Sequence, residues 1–255
     1  MTGTPELAEI AFAAMLLVAR LGACGLLLPG LGEMDIPAPF RLALVLALVP
    51  LLLPGLMPGL PRAPDDIGAY ALLMGGEVAI GLWIGMLARL VALALVMAGQ
   101  LAGSFIGLSS IFAPDPTMGA GSTALSRFMG LAAAALVLCT GLYALPLRAL
   151  AESYAVLPAG AVLDGGFAAH AMVETSAACL ALAMRLAAPL LLLAVIAQAA
   201  TGLLARVAPQ AQVFVLAAPA QVLAGLALFA LLLPAIFAQW TDSVRAAWSL
   251  LPGLG

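Results

Sequence analysis

The sequence predicts an all-α integral membrane protein that crosses the bilayer several times. Of its 255 residues, 65% are hydrophobic and 8% are charged, whereas soluble domains are about 45–50% apolar and about 25% charged. The apolar residues also fall into runs of about 20, the length that a membrane-spanning α-helix needs. We expect about six to seven apolar helical runs, several of them kinked or forming hairpins, within a single membrane domain covering residues 1–255.

The N-terminal half contains three apolar stretches. The first two candidate spans are Leu7–Leu28 and Phe40–Met57, and two prolines inside the second predict a kink or an early end. The third stretch, Ile67 to Phe112, is long enough for two spans or for one bent pair. Arg89 lies near its middle and is a plausible point of division.

The C-terminal half contains the remaining runs, Ala124–Leu145, Ala177–Val207 and Val213–Phe237. An amphipathic tail follows the last of them. Because tryptophan is enriched at membrane–water interfaces, we expect Trp240 and Trp248 in this tail to lie at the interface.

Composition excludes several classes of protein. The chain contains no lysine, so a P-loop nucleotide site is excluded. His170 is its one histidine, so a multi-histidine metal site is excluded as well. The arginines form no basic patch, which argues against nucleic acid as a partner. A membrane-embedded enzyme would need grouped ionisable residues, and the carboxylates are scattered; we therefore expect no catalysis and no cofactor.

Five charged residues lie inside or at the ends of the apolar runs. A charge at the bilayer centre costs about 2.5–3.5 kcal/mol or more, so such residues usually face protein or water. They indicate either a conduction or coupling site, or structural ion pairs and arginines that extend to the headgroups. The residues are Arg20, Glu77, Arg89, Arg185 and Arg206.

Glycines four residues apart mark two candidate helix-packing surfaces. Gly81 and Gly85 form one GxxxG motif, and Gly99, Gly103 and Gly107 form a double one. Small residues at this spacing let another helix backbone approach closely. The second helix belongs either to this chain or to another subunit, and the motif alone does not separate these possibilities.

A proline- and glycine-rich break, GLSSIFAPDPTMGAG, covers residues 107–121. Irregular backbone at membrane depth is tolerated only where protein or a water-filled cavity satisfies its polar groups. The break is either a connecting loop at the membrane surface or an apolar gate or plug. The candidate plug residues are Gly107, Leu108, Ile111, Phe112, Asp115, Pro116, Met118 and Gly119.

Ordered short motifs along almost the whole chain resemble the FliR family of flagellar biosynthesis proteins, which are membrane subunits of the type III protein-export gate. Gln212 stands where that family commonly has asparagine. The motifs, in chain order, are Arg20 with Pro29, Ile36-Pro37 with Arg41, Gly76-Glu77 with Gly81 and Gly85, Ala98-Gly99-Gln100 with Gly103, Gly107 and Asp115-Pro116, Ser153 with Leu157-Pro158, and Arg206 with Pro209-Gln210, Val213-Phe214 and Pro219.

The resemblance implies a structural pore subunit in the bacterial inner membrane, at the base of a flagellum. Its partners would be the other membrane subunits of the export gate, the unfolded export substrates in transit and the lipid bilayer. The break before Asp115-Pro116 would be the family's plug. A virulence-type secretion system stays open, as does a secondary transporter for a small solute, although the two symmetric sets of broken helices that favour a transporter are not found in the sequence.

Overall fold

The computed structural model describes residues 7–32, 37–107, 123–207 and 213–253. These ranges form seven α-helices, one short 3₁₀-helix (Met57–Gly59) and no strand. The all-α polytopic membrane fold is thus confirmed. The helices are α1 (Leu7–Leu27), α2 (Ala38–Leu56), α3 (Ile67–Ile106), α4 (Ala124–Cys139), α5 (Ala144–Val156), α6 (Gly165–Val207) and α7 (Val213–Trp248).

Within the described ranges, five helices are long and apolar enough to cross a membrane. A sixth candidate is the pair α4 and α5, which is bent by 67° at a short break. The break contains Gly141, whose φ of +73° an L-residue rarely adopts. Helix α3 has 40 residues and α6 has 43. At 1.5 Å per residue both are about 60 Å long or slightly longer, twice the hydrocarbon thickness of about 30 Å.

The chain does not divide at Arg89, where a division was plausible from hydropathy. Helix α3 continues through this residue without interruption. Arginine has one of the higher helix propensities, so it lowers local hydropathy without weakening the helix.

Contacts between Cα atoms divide the chain into two compact units. Four helices, α3, α4, α6 and α7, contribute residues to both. The prediction of a single membrane domain stays a prediction. Unit 1 comprises residues 1–91, 134–176 and 245–255, and unit 2 comprises residues 92–133 and 177–244.

In unit 1, α1 and the first part of α3 run parallel to each other. The Phe12 ring lies 5.6 Å from the Tyr70 ring, and Arg20, further along α1, pairs with Glu77 further along α3. Helix α2 lies between α1 and α3 in the sequence. It is the most exposed of the unit's candidate spans, since 11% of its most apolar 18-residue stretch is buried.

In unit 2, the second part of α3 and the start of α4 form an antiparallel hairpin. The first part of α7 packs beside it. The Phe128 and Phe229 rings meet edge to face with centroids 6.4 Å apart. Gln221 Nε2 donates a hydrogen bond of 3.0 Å to the Phe105 carbonyl, which ties α7 to the end of α3.

The side chains of Trp240 and Trp248 are both 0% exposed, so they face protein and not lipid headgroups, and their position at the membrane interface stays a prediction. In unit 1, Trp248 Nε1 donates a hydrogen bond of 3.1 Å to the Ala88 carbonyl. This acceptor satisfies the N–H of the buried indole, whereas the Trp240 N–H has no partner among the described residues. Trp248 therefore holds the end of α7 against α3.

Candidate functional site

A charged cluster lies in the interior of unit 1, around Arg20. On α1 the apolar side chains of Leu16, Leu17, Leu21 and Cys24 share one buried face, because residues three and four apart lie on the same side of a helix. Arg20 falls within that face and is 0% exposed. A guanidinium in such a place needs a counter-charge and a full set of hydrogen-bond acceptors.

Glu77 on α3 supplies the counter-charge. Arg20 Nε donates to Glu77 Oε2 at 2.8 Å, and Arg20 Nη2 donates to Glu77 Oε1 at 3.1 Å. The two parallel hydrogen bonds form the bidentate geometry that makes arginine–carboxylate pairs strong. Glu77 is also 0% exposed, so both charges are removed from solvent.

The end of α5 completes the hydrogen-bonding of the pair. Arg20 Nη1 donates to Ser153 Oγ at 3.1 Å and to the Leu157 carbonyl at 3.0 Å. The Gly160 amide donates to Glu77 Oε1 at 3.2 Å. The Leu157 carbonyl and the Gly160 amide belong to the turn after α5. The ion pair therefore fixes that turn as well as α5, to which Ser153 belongs.

An aromatic ring covers the guanidinium. Arg20 Cζ lies 3.8 Å from the centroid of the Tyr154 ring, well inside the distance of about 6 Å at which a cation–π attraction acts. The buried Tyr154 hydroxyl lies near the Glu77 carboxylate but makes no hydrogen bond of good geometry with the residues that the structure describes. The ring, and not the hydroxyl, is therefore what Tyr154 contributes to Arg20.

This arrangement ties α1, α3 and α5 together at one point. It is a closed, bidentate pair with a ring above it, and its donors and acceptors are used within the chain. The geometry favours the structural ion pair among the alternatives for Arg20 and Glu77. Any role of these two residues in conduction or coupling stays a prediction.

The other three predicted intramembrane charges are placed differently. Arg89 on α3 is partly exposed, and Arg185 on α6 is exposed. Arg206 is exposed in the last turn of α6, where a cation interacts favourably with the helix dipole. The residues that contact Arg20 and Glu77 in the described part of the chain do not include them.

The first glycine motif packs against α1 next to the ion pair. A Cβ added at Gly81 would overlap the Arg20 carbonyl, and one at Gly85 would lie 2.9 Å from the Cys24 carbonyl. Only glycine lets α3 approach the α1 backbone this closely. For this motif, the second helix belongs to the same chain.

The second glycine motif, in unit 2, packs against the start of α4. A Cβ at Gly103 would lie 2.6 Å from Thr123 Oγ1, and one at Gly99 would lie 2.8 Å from the Met129 side chain. The Thr123 amide donates to Gln100 Oε1 at 2.9 Å. Thr123 Oγ1 in turn accepts the Ser126 amide at 3.1 Å and caps α4.

These contacts hold together the two ends of the predicted plug segment. Gly107, the last described residue before it, has a φ of +92°, which an L-residue rarely adopts. Thr123 is the first described residue after it. The remaining candidate plug residues, Leu108, Ile111, Phe112, Asp115, Pro116, Met118 and Gly119, lie outside the described residues.

Comparison with known proteins places the chain in a family. Residues 11–247 match the model of the bacterial export proteins, family 1. The chain is 34% identical over 234 residues to the flagellar biosynthetic protein FliR of Caulobacter vibrioides, covering 92% of this chain and 93% of that protein. It is 27% identical over 213 residues to FliR of Escherichia coli K12, covering 82% of this chain and 79% of that protein.

The chain belongs to this family of bacterial export proteins. The resemblance to FliR is thereby confirmed. The matched residues include the whole Arg20 cluster and both glycine motifs. Both features therefore lie within the part of the chain that this export-protein family shares.

Sequence reasoning missed part of the cluster in this export protein. Tyr154 and Gly160 were not predicted to have any role, and Ser153 was noted only as part of a motif. A buried arginine has five N–H groups to satisfy, so Arg20 itself signals that more acceptors than one carboxylate are needed. The sequence does not show which residues supply them.

Proposed function

We propose that this chain is a structural subunit of the type III export gate through which unfolded flagellar proteins leave the cytoplasm. It would lie in the bacterial inner membrane as a multi-pass protein and assemble with the other membrane subunits of the gate. It would bind no cofactor and catalyse no reaction. The observation that carries the proposal is the similarity to flagellar biosynthetic protein FliR, which extends over 92% of this chain.

The exposed apolar surface supports assembly with other membrane helices in the bilayer. Leu203 on α6 is 67% exposed, and Leu223 and Leu231 on α7 are 69% and 76% exposed. Apolar faces of this extent are stable only against lipid or against partner helices. A gate subunit surrounded by both would cover them.

The segment between Gly107 and Thr123 is the proposed plug that helps to close the pore at rest. Its base supports this role, because Gly103 lets Thr123 approach α3 and Gln100 accepts the Thr123 amide. These contacts hold the two described ends of the segment together. Its apolar side chains, including Ile111 and Phe112, suit a seal against water.

The plug is tested by ion leakage through the assembled gate. Two variants are compared in cells: one lacks Ser109–Gly119, and the other replaces that segment with an equally long Gly/Ser sequence. Both remove the apolar side chains of Ile111, Phe112 and Met118, and the second keeps the length of the loop. We expect both to admit ions or small solutes while the gate still assembles.

Unchanged permeability in an assembled gate that carries either variant would contradict the plug. Assembly is measured by co-purification and mass spectrometry of a tagged chain. Recovery of other membrane subunits together with the chain supports a gate component. Recovery of the chain alone, with saturable binding of a small solute, would support a transporter instead.

A further inference from the structure

A cleft of about 510 Å³ opens in unit 1 where α1 begins and α2 ends. Phe12 from α1 and Pro54 and Met57 from the other side give it apolar walls. Glu9 and Arg62 also line it, with side chains that are 43% and 92% exposed. The cleft therefore combines apolar wall residues with two opposite charges.

The polar loop at the mouth of the cleft suits a position at the membrane surface. The loop that carries Arg62 also carries Asp65 and Asp66, which are exposed. Asp66 Oδ2 accepts the Ala69 amide at 2.9 Å and caps α3. Such a polar loop is not stable in hydrocarbon. Phe12 follows Glu9 by three residues on α1, about 4.5 Å along the helix axis, and so lies on the inner side of the two charges.

The two charges at the mouth are close but weakly engaged with each other. Arg62 Nε lies 3.7 Å from Glu9 Oε1, beyond the range of a good charge-assisted hydrogen bond. An exposed pair of this kind contributes little to stability. Both groups therefore remain able to bind a ligand that presents an anion and a cation side by side.

We propose that this cleft binds a phospholipid whose headgroup combines a phosphate with a primary ammonium. The phosphate would pair with the Arg62 guanidinium, which matches phosphate oxygens in a bidentate fashion. The ammonium would donate hydrogen bonds to the Glu9 carboxylate, and one acyl chain would lie along Phe12, Pro54 and Met57. Headgroups of other chemistry fit less well: Glu9 repels a purely anionic one, and a quaternary ammonium has no N–H to donate.

Binding is measured by native mass spectrometry of the full chain released from detergent with added phosphatidylethanolamine, phosphatidylcholine or phosphatidylglycerol. We expect phosphatidylethanolamine to bind at least about fivefold more tightly than the other two lipids. Glu9→Gln and Arg62→Gln should each remove this preference. The matched control is His170→Gln with Glu174→Gln, an exposed pair 3.2 Å apart on α6, which should leave the preference unchanged.

Two further variants separate lipid recognition from the internal ion pair. The double variant Glu9→Arg with Arg62→Glu keeps an ion pair but exchanges the positions of the two charges. It should therefore lack the preference for phosphatidylethanolamine, as the single variants do. Ala63→Trp fills the cleft from an exposed position of its lining and leaves both charges in place; it should weaken binding of all three lipids. Gel filtration of each variant establishes that it is folded.

Equal binding of the three lipids by the wild type would overturn the proposal. So would retention of the preference in folded Glu9→Gln or Arg62→Gln, or its loss in the α6 control. The same measurement on the assembled complex is also decisive. Absence of the lipid there would equally overturn lipid binding as the role of the cleft in the gate.

Discussion

Replacing Glu77 with methionine should destabilise the protein by about 3–5 kcal/mol, the cost of removing one partner from a buried ion pair. The change removes the two hydrogen bonds that Arg20 donates to Glu77, at 2.8 Å and 3.1 Å, and the one that the Gly160 amide donates to Glu77. Arg20 would keep its bonds to Ser153 and Leu157 but would be left as a fully buried charge. Since methionine is similar in size to glutamate, the loss reports the charge and not a cavity.

The double variant Arg20→Met with Glu77→Met should be less damaging than the sum of the two single variants. No charge is left buried, and apolar replacement of a buried pair is often close to neutral. The remaining cost is the Leu157 carbonyl and the Gly160 amide, at about 1–3 kcal/mol for each group that finds no new partner. We expect a coupling energy of at least about 2 kcal/mol between the two positions.

The measurement is equilibrium unfolding in mixed micelles, followed by tryptophan fluorescence. Trp83 and Trp248 are both buried in unit 1 and serve as reporters. Single variants within about 1 kcal/mol of the wild type would refute the reasoning. A double variant whose loss equals the sum of the single losses would refute it too, because the two residues would then act independently.

Two further predictions concern the surroundings of the ion pair. Gly81→Leu should disrupt the packing of α3 on the Arg20 backbone and lower the unfolding temperature strongly. The control Gly75→Leu lies on the same helix with nothing within 4 Å of the added Cβ, and it should have little effect. Equal effects of the two variants would contradict the close approach at Gly81. Tyr154→Phe should leave stability within about 0.5 kcal/mol of the wild type, since the hydroxyl makes no hydrogen bond of good geometry. Tyr154→Leu should lose about 1–2 kcal/mol of cation–π attraction. A larger loss in Tyr154→Phe would show that the hydroxyl is bonded.

Sequence reasoning identified the members of the ion pair but not their surroundings. Arg20 and Glu77 stand out because a charge within an apolar run costs free energy unless it is matched. Ser153 lies more than 130 positions along the chain from Arg20, and its hydroxyl resembles that of any other serine. The Leu157 carbonyl and the Gly160 amide carry no information in the sequence, because every backbone has such groups.

The glycine motifs show a similar division. Their spacing marks positions at which a second segment of the chain comes close in the structure. Gly81 meets α1, however, while Gly103 meets the start of α4, although both belong to the same pattern on the same helix. The spacing describes the surface that a helix offers, and the fold decides which helix covers it.

Hydropathy marked places where a helix changes its neighbours, and not only places where a helix starts. The dip at Arg89 produces no break in α3, yet the boundary between the two units falls two residues later, after Val91. The apolar run predicted to begin at Ala177 likewise starts where a unit 2 segment starts. The helix itself begins earlier, at Gly165, where Asp164 Oδ1 accepts the Gly166 amide at 3.0 Å. A helix continues wherever its backbone hydrogen bonds and residue propensities allow. Which side chains suit each part of the helix depends on the neighbours of that part. In long helices such as α3 and α6, hydropathy therefore reports the surroundings more directly than the ends.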